Sequence, residues 1–242
     1  MLPALTILFI YAVLTIPAAI VGIPWTLLTG DISLVYRWAM RIMRLGTRAA
    51  GIRIEAEWRT PLEPSQRYLF LANHISNLDP PILLPLFPKR VSVFIKRSLT
   101  KLPLLGYGMR LASFIPVDRD GRVESAKASV EEAARVMASG VDVLSFVEGT
   151  RSRSGRLLPF KKGPFYLAME TGALIVPVSI SGTESMMKKG SLRLYPGTAR
   201  VQFHAPIHPK DYATREALME AVRSAIASGL PEWMRSDEAA ND

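Results

Sequence analysis

Two polar clusters, each placed after a short apolar run, are where this sequence could do chemistry. The first is Asn73-His-Ile-Ser-Asn-Leu-Asp79, which follows Tyr68-Leu-Phe-Leu-Ala72. The apolar run suits a buried strand. Asp79-Pro80-Pro81 reads as a helix start, with Asp as the cap and Pro in the first turn. His74 and Asp79 therefore stand where a strand ends and a helix begins. On one straight helix, at about 3.6 residues per turn, residues five apart would diverge. A turn lets the carboxylate reach one ring nitrogen and leaves the other facing outward, and an imidazole held in this way is a general base. The plainer alternative is a hydrogen-bonded histidine at a strand end and an Asp that only caps its helix.

The second cluster is Phe146-Val-Glu-Gly-Thr-Arg-Ser-Arg-Ser-Gly155, again at the end of an apolar run. In a parallel sheet, loops that follow strand ends gather on one edge, where ligands bind. Gly149 permits a tight turn, Thr150 supplies a hydroxyl, and the planar guanidinium of Arg151 suits a phosphate. Arg153 and Arg156 read as solvated charges. The spaced glycines and the Gly-Lys-Ser/Thr ending of a Walker loop are missing. His204 and His208 have the spacing of a helical metal pair, but Pro206 and Pro209 argue against a helix there. No further ligands are recognisable, so no metal is expected.

The elements around these clusters follow from composition and order. A chain of 242 residues is most simply one folded domain. No cysteine is present, which excludes a thiol nucleophile, disulfides and thiolate-bound zinc. Thirty basic and 21 acidic residues give a net charge of +9, which implies an anionic partner. Nucleic acid would explain that charge but not the first thirty residues, which carry no charged side chain, and no nucleic-acid-binding module is recognisable.

Leu2 to Leu28 is long enough to cross a bilayer, which needs about 20 apolar residues. Pro17 and Pro24 predict a kink, or two shorter pieces within one leaflet. Leu34 to Ala49 has helical periodicity, with Arg37, Arg41, Arg44 and Arg48 on one stripe and Val35, Ala39, Ile42 and Met43 opposite. It reads as an interfacial helix, apolar side down, with a helix packed on the domain as the alternative. The arginines place this side in the cytoplasm. The expected organisation is a membrane anchor over residues 1–50, a catalytic domain over 51–235 and a polar tail over 236–242.

Within the domain, strands are expected at 51–57, 68–72, 91–96, 113–117, 141–147 and 174–180. Pro177 would favour an edge or a bulge in the last of these. Ser191 to Tyr195 and Ala199 to His204 read as a hairpin around Pro196-Gly197. Helices are expected over 82–86, 123–139, 164–171 and 214–228. The alternation predicts an α/β fold, a mixed sheet flanked by helices, carried on the N-terminal two-helix anchor.

The ordered blocks also carry a resemblance. Asn73-His-Ile-Ser-Asn-Leu-Asp79 resembles the N-H-x-x-x-x-D block of glycerolipid acyltransferases, and Phe146-Val-Glu-Gly-Thr-Arg-Ser152 their F-P-E-G-T-R-S block. Leu105-Gly106 through Phe114-Ile-Pro-Val-Asp-Arg119 is similar to the block between them, and Ile175-Val-Pro-Val178 to the fourth. Order and spacing resemble the PlsC-type 1-acylglycerol-3-phosphate acyltransferases over about residues 68 to 210. Val147 stands where that family usually has Pro, and Ser113 where Gly is common.

The resemblance implies that His74, fixed by Asp79, deprotonates the free hydroxyl of lysophosphatidic acid. That oxygen would attack the thioester of acyl-CoA or acyl-carrier protein, with no other cofactor, giving phosphatidic acid. Another lysolipid acceptor, or a non-catalytic membrane-binding protein, are the competing readings. The resemblance also implies that Glu148, Gly149, Thr150 and Arg151 form the acceptor site, with Lys96 and Arg119 as phosphate contacts. Asn73 is a candidate oxyanion donor or a support for the turn. The implied location is the cytoplasmic membrane, with the catalytic domain on the cytoplasmic side and membrane lipids as partners.

Overall fold

Apolar runs that alternate with amphipathic ones become, in the computed structural model, one sheet with helices on both faces. The structure describes residues 2–118, 122–188, 190–191 and 193–235. Arg119 and the tail from residue 236 lie outside the described residues. The strands are β1 (Ile52–Trp58), β2 (Tyr68–Ala72), β3 (Val91–Lys96), β4 (Ile115–Val117), β5 (Asp142–Phe146), β6 (Leu174–Ser181) and β7 (Gly197–Phe203). The helices are α1 (Leu2–Thr29), α2 (Ser33–Ala49), α3 (Asp79–Leu83), α4 (Leu105–Leu111), α5 (Val123–Ala138), α6 (Gly163–Thr171), α7 (Thr183–Met186) and α8 (Arg215–Ser228).

The sheet order among the described residues is β1-β7-β6-β2-β5-β3-β4. From β6 to β4 every neighbouring pair is parallel. β7 runs antiparallel to β6, and β1 is parallel to β7, so the sheet is mixed. β2 lies at its centre and reads as unbroken apolar sequence because both its faces are covered. Tyr68, Phe70 and Ala72 join one core cluster, and Leu69 and Leu71 the other, as the two-residue period of a strand requires. Ile82 and Leu83 of α3 pack on the first face. Ala133 and Val136 of α5, Phe165 of α6 and Val222 of α8 close the second.

Four local expectations are decided between their alternatives or changed. First, α1 is one helix through Pro17 and Pro24, not two pieces. Second, α2 does not leave its apolar side for a membrane: Met40 and Met43 pack on the first core cluster. The Tyr36 hydroxyl accepts from the Val91 amide, and Arg44 donates to the Pro85 carbonyl. α1 covers α2 through two glycine contacts. A Cβ on Gly46 would lie 2.4 Å from the Tyr11 ring, and one on Gly22 would lie 2.6 Å from Val35. α2 thus packs on the sheet across the boundary expected near residue 50. The outer side of α1 remains apolar and exposed, at Leu8, Phe9, Val13, Ile16 and Ile20 among others.

Third, the hairpin of 191–195 with 199–204 does not form. β7 has β6 on one side and β1 on the other, which leaves no ladder for 191–195. Fourth, Pro177 is in an interior strand, not at an edge. Pairing runs Val178↔Phe203 and then Ile175↔Ile207, so β6 advances three residues while its partner advances four. That extra residue is a bulge, and the missing N–H of Pro177 falls there while its carbonyl still accepts from the His204 amide at 2.9 Å.

Ser113, just before β4, has φ +60. The left-handed region costs a residue with a Cβ about 1–2 kcal/mol. Glycine relieves that strain but adds freedom to the unfolded chain, worth about 0.4–1 kcal/mol. Ser113→Gly should therefore raise unfolding free energy by about 1 kcal/mol or less, whereas Ser113→Val should lower it by more than that. Denaturant unfolding of the two variants against wild type checks the signs.

Candidate active site

The parallel strands β6, β2, β5 and β3 all end on one edge of the sheet, so the segments that follow them converge. Directly after β2, His74 and Asp79 meet as the spacing predicted. His74 Nδ1 lies 2.8 Å from Asp79 Oδ2. The same oxygen accepts the amides of Ile75 and Ser76, each at 2.8 Å, and Oδ1 accepts the Thr183 hydroxyl at 2.6 Å. Backbone amides can only donate, so Oδ2 is an acceptor and the shared hydrogen sits on His74 Nδ1. That tautomer leaves a lone pair on Nε2, which hydrogen-bonds to none of the described residues. Asp79 is 0% exposed and the His74 side chain 13%, so the ring is reached from one side only.

Asp79 is not the helix cap that its position suggested. Leu78 holds the cap position of α3, without a side-chain bond, and the Asp79 carboxylate turns back onto the turn before it. Phe146 at the end of β5 stacks on the imidazole, with ring centroids 4.0 Å apart and planes at 23°. Asn73 bonds the Ile180 backbone twice: its amide nitrogen donates to the carbonyl at 2.9 Å and its oxygen accepts the N–H at 2.8 Å. Its side chain thus ties the turn to β6.

The loop after β5 holds the turn from the other side. Val147 donates to the Ala72 carbonyl at 3.0 Å, and Ser152 to the His74 carbonyl at 2.8 Å. A Pro at 147 could not make the first of these bonds. Glu148 is buried beneath this loop. It is 1% exposed, and its two oxygens accept the His74 amide at 3.0 Å and the Leu158 amide at 3.2 Å. Burial outweighs those two bonds and pushes its carboxyl up to about 8, with the nearby Asp79 charge adding to the rise. Gly149 takes φ +69, where a Cβ would press on Lys161 at 3.0 Å.

Thr150 and Arg151 are partly exposed on this loop. The amide of Ser152, the residue after Arg151, contacts the His74 carbonyl, so the backbone at Arg151 is held beside the imidazole turn. Lys96 ends β3 at the same edge, exposed and two strands from β2. At about 4.8 Å per strand it stands about 10 Å away. His204 is buried with Nε2 2.7 Å from the Ser179 hydroxyl, and burial pushes its ring down to about 4. His208 Nδ1 accepts from the Lys210 amide. Among the described residues no cluster of three metal-ligating side chains occurs.

A family model described as Acyltransferase matches residues 53–181, more than half of the chain. The chain belongs to the acyltransferase family. The 1-acyl-sn-glycerol-3-phosphate acyltransferase of Cocos nucifera is 32% identical over 168 residues, which cover 69% of this chain and 54% of that relative. The alpha form from Homo sapiens is 32% identical over 185 residues, covering 75% and 65%. The chain thus spans about half to two thirds of the length of these relatives. The crystal structure of the 1-acyl-sn-glycerophosphate (LPA) acyltransferase PlsC from Thermotoga maritima is similar with a TM-score of 0.81 at 25% identity. The likeness covers 94% of this chain and 93% of that one.

Within this acyltransferase-family chain, Thr183 and Phe146 are site residues that sequence reasoning missed. Phe146 stood inside a quoted block but carried no role there. Thr183 lies 104 positions from Asp79 in sequence, and only the β2–β6 pairing brings it near.

Glu148 binds its proton more tightly in the folded chain than in the unfolded one. Its contribution to stability is therefore fully present below the usual carboxylate range near 4.5 and is lost as pH rises through about 8. Unfolding free energies of wild type relative to Glu148→Gln should fall across that window, at up to about 1.4 kcal/mol per pH unit. Denaturant melts at a series of pH values read the difference, and a pH-independent gap would contradict the assignment.

Proposed function

We propose that this chain transfers a fatty acyl group from a thioester, acyl-CoA or acyl-carrier protein, to the free hydroxyl of 1-acyl-sn-glycerol-3-phosphate, giving phosphatidic acid. The carrying observation is the imidazole whose Nδ1 is held by Asp79, leaving Nε2 as the free base, on a turn bonded to the loop that carries Arg151. In this acceptor the hydroxyl and the phosphate are a few bonds apart. A base and a phosphate fork on adjoining loops fit that separation. The names of the relatives in Cocos nucifera and Homo sapiens support the same acceptor.

In the proposed reaction His74 Nε2 takes the hydroxyl proton as the acceptor oxygen attacks the thioester carbonyl. The carbon–sulfur bond breaks, and the imidazolium returns the proton to the leaving thiolate. Asp79 keeps the ring in the required tautomer and stabilises its charged form, as in a Ser-His-Asp triad with substrate oxygen in place of Ser. Thr183 and the two amides hold Asp79 in place. Phe146 supports the ring face. Arg151 binds the acceptor phosphate through paired charge-assisted bonds, and Lys96 adds positive field from its strand end. Arg119, outside the described residues, is expected to act on the same anion.

The reading includes a membrane. Among the described residues one helix, Ala4–Thr29, is long and apolar enough to cross a bilayer, and it is mostly exposed. The exposed arginines of α2, Arg37, Arg41, Arg44 and Arg48, favour the cytoplasmic side of an anionic membrane. The acceptor would reach the site from that membrane.

His74→Ala should abolish transfer to every acceptor, since general-base catalysis is worth roughly 10²–10⁴-fold. Arg151→Ala should lower kcat/KM about ten- to a few-hundredfold for lysophosphatidic acid and little for a monoacylglycerol, and Arg151→Lys should remain clearly impaired. Purified protein, thiol release from a long-chain acyl-CoA and the two acceptors supply the measurement. Equal losses on both acceptors would remove phosphate recognition from Arg151, and near-wild-type turnover by folded His74→Ala would remove the base.

A further inference from the structure

The connection from β3 to α4 carries a surface that the site itself does not use. Leu99, Leu102, Leu104 and Leu105 are 37%, 45%, 37% and 48% exposed. Leu99 lies in a single 3-10 stretch, Arg97–Lys101, and Leu105 opens α4. Four part-exposed leucines within seven residues form a concentrated apolar patch, which on a soluble surface marks an interaction site. The charges around it have one sign. Lys96, Lys101 and Arg110 flank it, with Arg97 paired to Asp118 at its base. From Pro80 to Val117 the sequence holds six basic residues and no acidic one.

Its place in the fold matters. The segment leaves β3 at the edge where His74 and Arg151 sit, two strands from β2. β1 runs against β2, so its first residue, Ile52, is at this edge as well. α2 leads into Ile52, and the start of α1 packs on the end of α2 through Tyr11 and Gly46. Exposed Leu5, Leu8 and Phe9 of α1 therefore belong to the same edge as the four leucines.

We propose that residues 99–105 form a second membrane-docking element, which presses the leucines into an anionic bilayer and seats the site edge on it. A lipid surface is the occupant that fits best. Apolar side chains at the tip with cations beside them match acyl chains below charged headgroups, and the exposed side chains at the start of α1 lie at the same edge of the sheet. The inference rests on the membrane reading given above but does not follow from it, because α1 alone could hold the chain on a bilayer.

The chain has no cysteine, so Leu102→Cys offers a unique site for an environment-sensitive fluorophore. Ala138→Cys, exposed at the far end of α5, is the control. The full-length protein is mixed with phosphatidylcholine vesicles, with and without phosphatidylglycerol. With anionic vesicles the label at 102 should brighten several-fold, shift to shorter wavelength and be quenched by lipids carrying a doxyl group in the acyl chain. The label at 138 should do none of these. In unlabelled protein with α1 intact, Leu102→Asp with Leu105→Asp should weaken partitioning to the anionic vesicles several-fold while the far-UV circular dichroism is kept. A water-like label at 102 on protein that floats with the vesicles would overturn the docking element and leave the membrane reading standing. Failure to float would remove both. A response to acyl-carrier protein without vesicles, and none to vesicles, would assign the patch to a protein donor and overturn the proposal.

Discussion

A single buried carboxylate sets the geometry of this fold's working edge. Asp79 has no exposed surface, and a charge in that position is tolerated only when it is fully hydrogen-bonded. Its donors come from two parts of the chain: the turn that follows β2, and the start of α7. Meeting that demand fixes the shape of the turn, the tautomer of His74 and the position of Thr183 together. The site is therefore not a pair of residues brought together on a scaffold. The scaffold's most demanding polar group and the site's orienting group are the same side chain.

Glu148 does a different job a short way off. Its oxygens join the His74 amide to the Leu158 amide, so the two loops at the edge are held from beneath by one side chain. Together with the Ser152-to-His74 and Val147-to-Ala72 bonds, this makes the loop after β5 a continuation of the sheet. Arg151 is thereby mounted on a rigid support. A cation on a free loop would lose more side-chain and backbone freedom on meeting an anion, which weakens the contact.

The chemistry was readable because it is local. Tyr68 to Ala72, the turn after it and the loop after Phe146 are each short runs whose composition announces a strand end, and parallel strands place their ends together. What could not be read depends on partners far along the chain. The backbone partner of Asn73 is Ile180, 107 positions away, which no local pattern indicates. Glu148 entered the expected acceptor site through the resemblance, and nothing in its neighbourhood of sequence reveals that it is buried. The stretch Ser191 to Tyr195 had the composition of a strand, but β7 had already found β1 and β6. Similarly, α2 has an amphipathic pattern that suits a membrane and a domain equally, and only packing distinguishes the two.

The pairing of β1 with β7 also has a consequence in time. Ile52 pairs with Gly197, so 197 − 52 = 145 residues separate the partners. At about 5–20 residues per second of synthesis, roughly 7–30 s pass between the emergence of one and the other. Throughout that interval β1 exists without the strand that later pairs with it, so its backbone edge is unpaired in the growing chain. An unpaired strand edge is a template for aggregation, and a chaperone that meets β1 early would shelter it until β7 arrives.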